Sequence, residues 1–86
     1  MATKSKKQEP VDVFTTYDLG VAAALTCRGF ELLELDRANP KKALFTFRRE
    51  TDIDATANAY FADRLKLNAR LFFDQLKALK NRLYSE

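Results

Sequence analysis

Five apolar positions late in the chain, Ala69, Phe72, Leu76, Leu79 and Leu83, step by 3, 4, 3 and 4. That spacing aligns side chains on one face of an α-helix. Asn68 just ahead is a good N-cap, and Leu67 with Phe72 has the spacing of a hydrophobic staple. The pattern therefore predicts a helix that starts after a break at about 65–68. A second helix is predicted over roughly 52–64, opened by Thr51-Asp52-Ile53-Asp54, with Ile53, Ala57, Tyr60 and Phe61 on its buried face. A third signature, Thr15-Thr16-Tyr17-Asp18, resembles a capping box and opens a helix over about 16–28. Leu19, Ala22, Ala23 and Thr26 share one of its faces, flanked by Leu25 and Cys27, and Gly29 ends it as a C′ residue.

Between these helices the period changes from 3.6 to 2. Phe30–Leu35 and Ala43–Arg48 read as the strands of a hairpin, joined by Asp36–Lys42 with Asn39-Pro40 as the turn signal. Pairing Leu35 with Ala43 and Leu33 with Phe45 puts Leu33, Leu35, Ala43, Phe45 and Phe47 on one face. A lone hairpin is marginal in water, and Val11–Thr15 can add a third strand through a β-α-β crossover. The expected fold is α+β: a small two- or three-stranded antiparallel-hairpin sheet covered by three helices, in the order (β)-α-β-β-α-α. Its core centres on Phe45, Phe47, Phe72, Leu76 and Leu79, the large apolar residues at the most regular spacings.

Composition narrows the reading further. An 86-residue chain with 47% hydrophobic and 31% charged residues is enough for one small domain. Residues 1–9 are read as a disordered basic tail and 10–86 as the domain. The net charge of +3 belongs mostly to Lys4, Lys6 and Lys7 of that tail, since residues 10–86 carry 12 basic against 11 acidic side chains. No apolar run approaches the length of a bilayer span, and the N-terminal stretch has no signal-peptide pattern, so a cytoplasmic location and no membrane partner are expected.

The missing residue types exclude much chemistry. Without histidine there is no histidine-based acid–base catalysis and no histidine metal site. The lone Cys27 forms neither an intrachain disulfide nor a thiolate zinc site, and beside an apolar helix face it reads as an inert small hydrophobe. Serine occurs only as Ser5 and Ser85, and glycine only as Gly20 and Gly29, so no glycine-rich phosphate loop exists. Asp52 with Asp54 is the nearest approach to a carboxylate pair, and both suit a helix N-terminus instead. A non-enzymatic protein with no cofactor and no metal is expected.

The string Phe14-Thr15-Thr16-Tyr17-Asp18-Leu19, then Ala22–Leu25 and Gly29-Phe30, resembles the opening of an uncharacterised domain-of-unknown-function family of short bacterial and phage proteins. The turn Asp36–Lys41, Phe45, Phe47, Tyr60, Asn68-Ala69-Arg70 and Leu79–Tyr84 extend the resemblance over about residues 13–84. It implies a bacterial or mobile-element setting. It carries no activity and no site residues.

Two basic clusters remain as candidate binding surfaces. On a helical wheel Lys66, Arg70, Phe73, Lys77, Lys80, Asn81 and Tyr84 fall within an arc of about 100°. Such a row can track a phosphate backbone while its rings meet bases. The same lysines also suit a solvated face or a helix C-terminus, with Asp74 offsetting Arg70 and Lys77. The hairpin tip adds Arg37, Lys41 and Lys42, with Arg48 and Arg49 at the far end of the strand, and lysines there also blunt a sheet edge. The leading expectation is a nucleic-acid-binding protein using both clusters. The alternative is a protein-interaction or homodimeric adaptor, for which Leu67, Leu71 and Ala78 offer a contact unless the second helix covers them.

Overall fold

A computed structural model describes residues 12–39 and 41–85. The tail predicted over 1–9 lies outside the described residues. Six elements follow in order: β1 (Val13–Thr16), α1 (Leu19–Cys27), β2 (Leu32–Asp36), β3 (Leu44–Arg48), α2 (Ile53–Phe61) and α3 (Ala69–Tyr84). The order β-α-β-β-α-α and the α+β class are as expected, with the optional first strand present.

The sheet order is β1-β3-β2, and both neighbours run antiparallel to β3. β1 pairs Phe14 with Phe47 and Thr16 with Phe45. The β1–α1–β2 connection is therefore a crossover that leaves room for β3 between its two strands. The hairpin register differs from the predicted one by two residues, with Leu35 opposite Phe45 rather than Ala43. A shift of two preserves which face each side chain takes, because the strand period is two. Leu33 is the exception. A bulge between Leu32 and Glu34 leaves it as the extra residue and turns Leu32 toward Phe47, so Leu33 is exposed instead of sharing the core face.

α1 differs most from its expected form. Val21 through Leu25 are all buried, so the helix is covered on every side rather than along one stripe. It packs against α2, α3 and β1. Its cap is Asp18, whose Oδ1 accepts from the Val21 N–H at 2.9 Å, while Thr15 and Thr16 belong to the strand. Gly29, at φ +88°, ends it: the Gly29 and Phe30 N–H groups donate to the Thr26 and Leu25 carbonyls, a Schellman closure. α2 opens at Ile53 behind Asp52, which sits at φ +79° and makes no side-chain cap bond. Phe61, expected to be buried, is 62% exposed.

The core joins Val21, Ala22, Ala23 and Leu25 to Ala43, Phe45 and Phe47 of the sheet, and to Ile53, Ala57 and Leu79. Phe72 and Leu76, placed at its centre by spacing alone, are half-buried at its margin. Because α1 fills the middle, α3 reaches the deep core only at Leu79. The small alanines of α1 let its neighbours approach closely. At Gly20 there is no room for even a methyl group, since a Cβ there would overlap the Tyr60 hydroxyl.

Candidate functional site

α3 is held from both ends, and this fixes the direction of its outer face. At the start, Asn68 Oδ1 accepts from the Leu71 N–H at 3.0 Å. Leu67 and Phe72 line one hollow of about 340 Å³ together with Tyr60 and Leu65, as the staple spacing predicts. At the other end the Arg37 guanidinium Nη1 donates to the carbonyls of Arg82 at 2.9 Å and of Leu83 and Ser85. The last carbonyls of a helix have no partner within it, and a cation there also meets the negative end of the dipole.

With Phe72, Leu76, Leu79 and Leu83 of the seam turned inward and its first position, Ala69, left exposed at the helix start, the stripe predicted beside it faces out. Arg70, Lys77, Lys80 and Asn81 are exposed, Phe73 is 56% exposed and Tyr84 is 76% exposed. Lys66 is exposed too, but it lies in the connection ahead of the Asn68 cap, because α3 starts only at Ala69, and so does not share the helix face on which the wheel placed it. The Lys77 Nζ lies 5.4 Å from the Phe73 ring centroid, within cation–π range. Lys77 is therefore on the ring and not on Asp74. Among the described residues, no carboxylate lies within 4 Å of Lys66, Arg70, Lys77 or Lys80.

Four arginines, by contrast, are occupied in holding the fold. Arg48 pairs with Glu31 at 3.0 Å, and Arg49 reaches both Asp12 and Asp54 and lies over the Phe14 ring. Arg28 donates to the Lys66 carbonyl, tying the α2–α3 connection to the end of α1. Arg37, assigned to the hairpin-tip surface by sequence, spends its Nη1 on the end of α3. That contact is what brings the two basic clusters together: the tip sits at the C-terminal end of the stripe.

The tip itself is set by two short side chains. Asp36 Oδ1 accepts from the Ala38 N–H and Asn39 Oδ1 from the Lys41 N–H, so the turn is organised by Asx contacts. Lys41 and Lys42 are exposed, and the Lys42 Nζ lies 5.0 Å from the centre of the Tyr17 ring. Tyr17, 56% exposed, borders a hollow of about 190 Å³ with Asp36, Ala38, Asn39, Lys42 and Leu44. Sequence reasoning missed Tyr17 by placing it inside the first helix. Its position between a strand end and an N-cap aspartate was the available signal.

The remaining candidates are simpler. Asp54, in the first turn of α2, is tied to Arg49, and Asp52 occupies the strained cap position. Cys27 is a half-buried free thiol, and burial pushes its pKa up, away from the reactive thiolate. Among the described residues, no group of three His, Cys, Asp or Glu side chains could hold a metal ion. No described helix is long and apolar enough to cross a membrane. Leu67 is half-buried, while Leu71 and Ala78 stay exposed and are not covered by α2.

Comparison with known proteins adds one finding. The family model described as Domain of unknown function (DUF5659) matches residues 11–85, which span the resemblance read over 13–84. No curated protein and no solved structure matches the chain.

Proposed function

Because the chain belongs to the family described as a domain of unknown function (DUF5659), which assigns no activity, we propose a function from its own surface: non-enzymatic binding of nucleic acid. The observation that carries this reading is the division of cations. Arg28, Arg37, Arg48 and Arg49 are consumed by internal contacts, whereas Lys66, Arg70, Lys77 and Lys80 have no carboxylate partner among the described residues. Arg70, Lys77 and Lys80 stand on one rigid helix with Lys66 just ahead of it, and cations without counter-charges favour a polyanion, because binding it releases condensed counterions into solution. From Arg70 to Lys80 the helix rises about 15 Å, a span of several phosphates. Lys41 and Lys42 extend the surface beyond the helix end. In a bacterial or mobile-element setting, which the resemblance implies, both DNA and RNA are accessible to such a surface.

The test is a fluorescence-anisotropy titration of labelled oligonucleotides across a salt series. Four phosphate contacts give a log–log salt slope of about −2.8 on a single strand or −3.6 on a duplex. Replacing Lys77 and Lys80 together by Ala leaves the helix intact and flattens that slope by about 1.4 or 1.8. No binding at low salt up to about 10⁻⁴ M protein, the range of weak non-specific contacts, overturns the reading. A homodimer built on the exposed Leu71 and Ala78 is the second reading, and concentration-dependent sedimentation without nucleic acid would put it first.

A further inference from the structure

The described residues that are large, apolar and exposed are Tyr17, Leu33, Phe61, Leu71, Phe73 and Tyr84. Three of these six belong to the basic surface, and their placement is not that of leftover core residues. Phe73 carries Lys77 on its ring, and Tyr17 carries Lys42 on its ring. Tyr84 lies one helical turn after Lys80, and it is the most exposed of the six. Phe73 and Tyr84 lie within about 20° of each other around the helix axis, and about 16 Å apart along it. Lys77 and Lys80 fall between them. Ring, cation, cation and ring thus follow one line along α3, and the line ends beside the loop that holds Lys42, next to Tyr17.

Duplex DNA offers such a line only half of what it presents. Its phosphates meet the lysines, but its bases are stacked on one another and show the grooves only their edges. A phenyl face has nothing to stack on there, and burying it against a phosphate backbone gains little. Unpaired nucleotides, by contrast, expose π-faces of every base type at each step of a flexible backbone. Interleaved aromatic and cationic side chains are the arrangement that binds them.

Resting on the nucleic-acid reading above, we infer that the ligand is a single strand, with Phe73 and Tyr84 as stacking platforms and Tyr17 as a third platform at the hairpin tip. Lys77 and Lys80 hold the intervening phosphates. Recognition is tolerant of base sequence, because it uses base faces rather than hydrogen-bonding edges.

The experiment compares an oligothymidylate of about 12 nucleotides with a duplex of the same length, within the usual site sizes for single-strand binders. It uses the full chain and the variants Phe73→Ala, Tyr84→Ala and Phe73→Leu. Each ring is more than half exposed, so the variants fold, and circular dichroism checks this. Loss of one stacked base lowers single-strand affinity about 5- to 150-fold. Duplex affinity should stay within about twofold, and the salt slope should not change, because no charge is removed. Phe73→Leu should behave as Phe73→Ala does, since leucine keeps apolar bulk without a stacking face. If the ring variants bind the single strand as tightly as the parent, or lose duplex affinity equally, the stacking assignment is overturned while nucleic-acid binding stands. If the parent protein binds neither oligonucleotide at low salt, nucleic-acid binding itself fails.

Discussion

Gly20→Ala tests whether the α1–α2 contact depends on backbone proximity. A Cβ at this position would stand 2.1 Å from the Tyr60 hydroxyl, 2.9 Å from its Cζ and 3.1 Å from Asp18 Oδ1. A normal carbon contact is longer than about 3.4 Å, so the ring must retreat by more than 1 Å. Asp18 has little freedom to yield, because the same oxygen caps α1 through Val21. Overpacking of this kind costs about 1–3 kcal/mol, and the overlap with the hydroxyl puts it in the upper half of that range. Against it stands the helix propensity of alanine over glycine, at most about 1 kcal/mol. The steric term wins, and Gly20→Ala destabilises by about 1–2 kcal/mol. Tyr60→Leu removes both clashing ring atoms, so in that background the same substitution is neutral or stabilises by up to about 1 kcal/mol. Tyr60→Phe removes only the hydroxyl and falls between. Urea unfolding followed by circular dichroism gives all six stabilities, and the reversal of sign is the measured quantity. If Gly20→Ala has the same effect, within about 0.5 kcal/mol, beside Tyr60 and beside leucine, the packing argument is refuted.

Arg37→Ala removes the external partner of the α3 carbonyls and should cost about 1 kcal/mol, with faster amide exchange in the last turns of α3; an unchanged urea midpoint would show that water replaces the guanidinium. Asp63 holds φ +61° after α2, the conformation Gly29 holds after α1. Asp63→Gly should therefore raise stability by about 0.5–1 kcal/mol, and a fall in melting temperature would show that its carboxylate matters more than its backbone. Burial raises the Cys27 pKa in the folded state, so the folded chain binds that proton more tightly than the unfolded chain does. Its contribution is intact below the unfolded value and is lost as pH rises through the folded one. Denaturation midpoints from pH 7 to 10 should fall more steeply for the parent protein than for Cys27→Ala, and parallel curves would contradict the assignment.

What could be read from the sequence was whatever depends on local period or local chemistry. The α3 seam, the Asn68 cap and the glycine closure at Gly29 each follow from a few neighbouring residues. The hairpin could be read to the face but not to the register, because Leu33 and Leu35 alternate correctly and nothing local marks the bulge. The all-round burial of α1 was hidden for a different reason. Alanine is small enough to count as neutral on a helical wheel, yet here it signals close neighbours on several sides. The exposure of the basic stripe followed from the seam beside it. The role of Arg37 did not, since the helix end it caps lies 45 residues away in the chain. Tyr17 was misplaced by the one-turn overestimate of α1, and with it went a ring of the surface.

The strand order also constrains how the chain can assemble. β3 is the last strand in sequence and the middle strand in space, so β1 and β2 have no partner until it arrives. A chain growing from its N-terminus can coil α1 early, but Val21–Leu25 then face water with no sheet to cover them. The pairing of Val13 with Arg48 closes a loop of 35 residues, a non-local contact that slows folding relative to a helical bundle of this size. Until Arg48 has emerged, the first half is a set of unpaired edges beside an apolar helix, the kind of intermediate that self-associates. Fragments ending before Leu44 should therefore aggregate rather than fold.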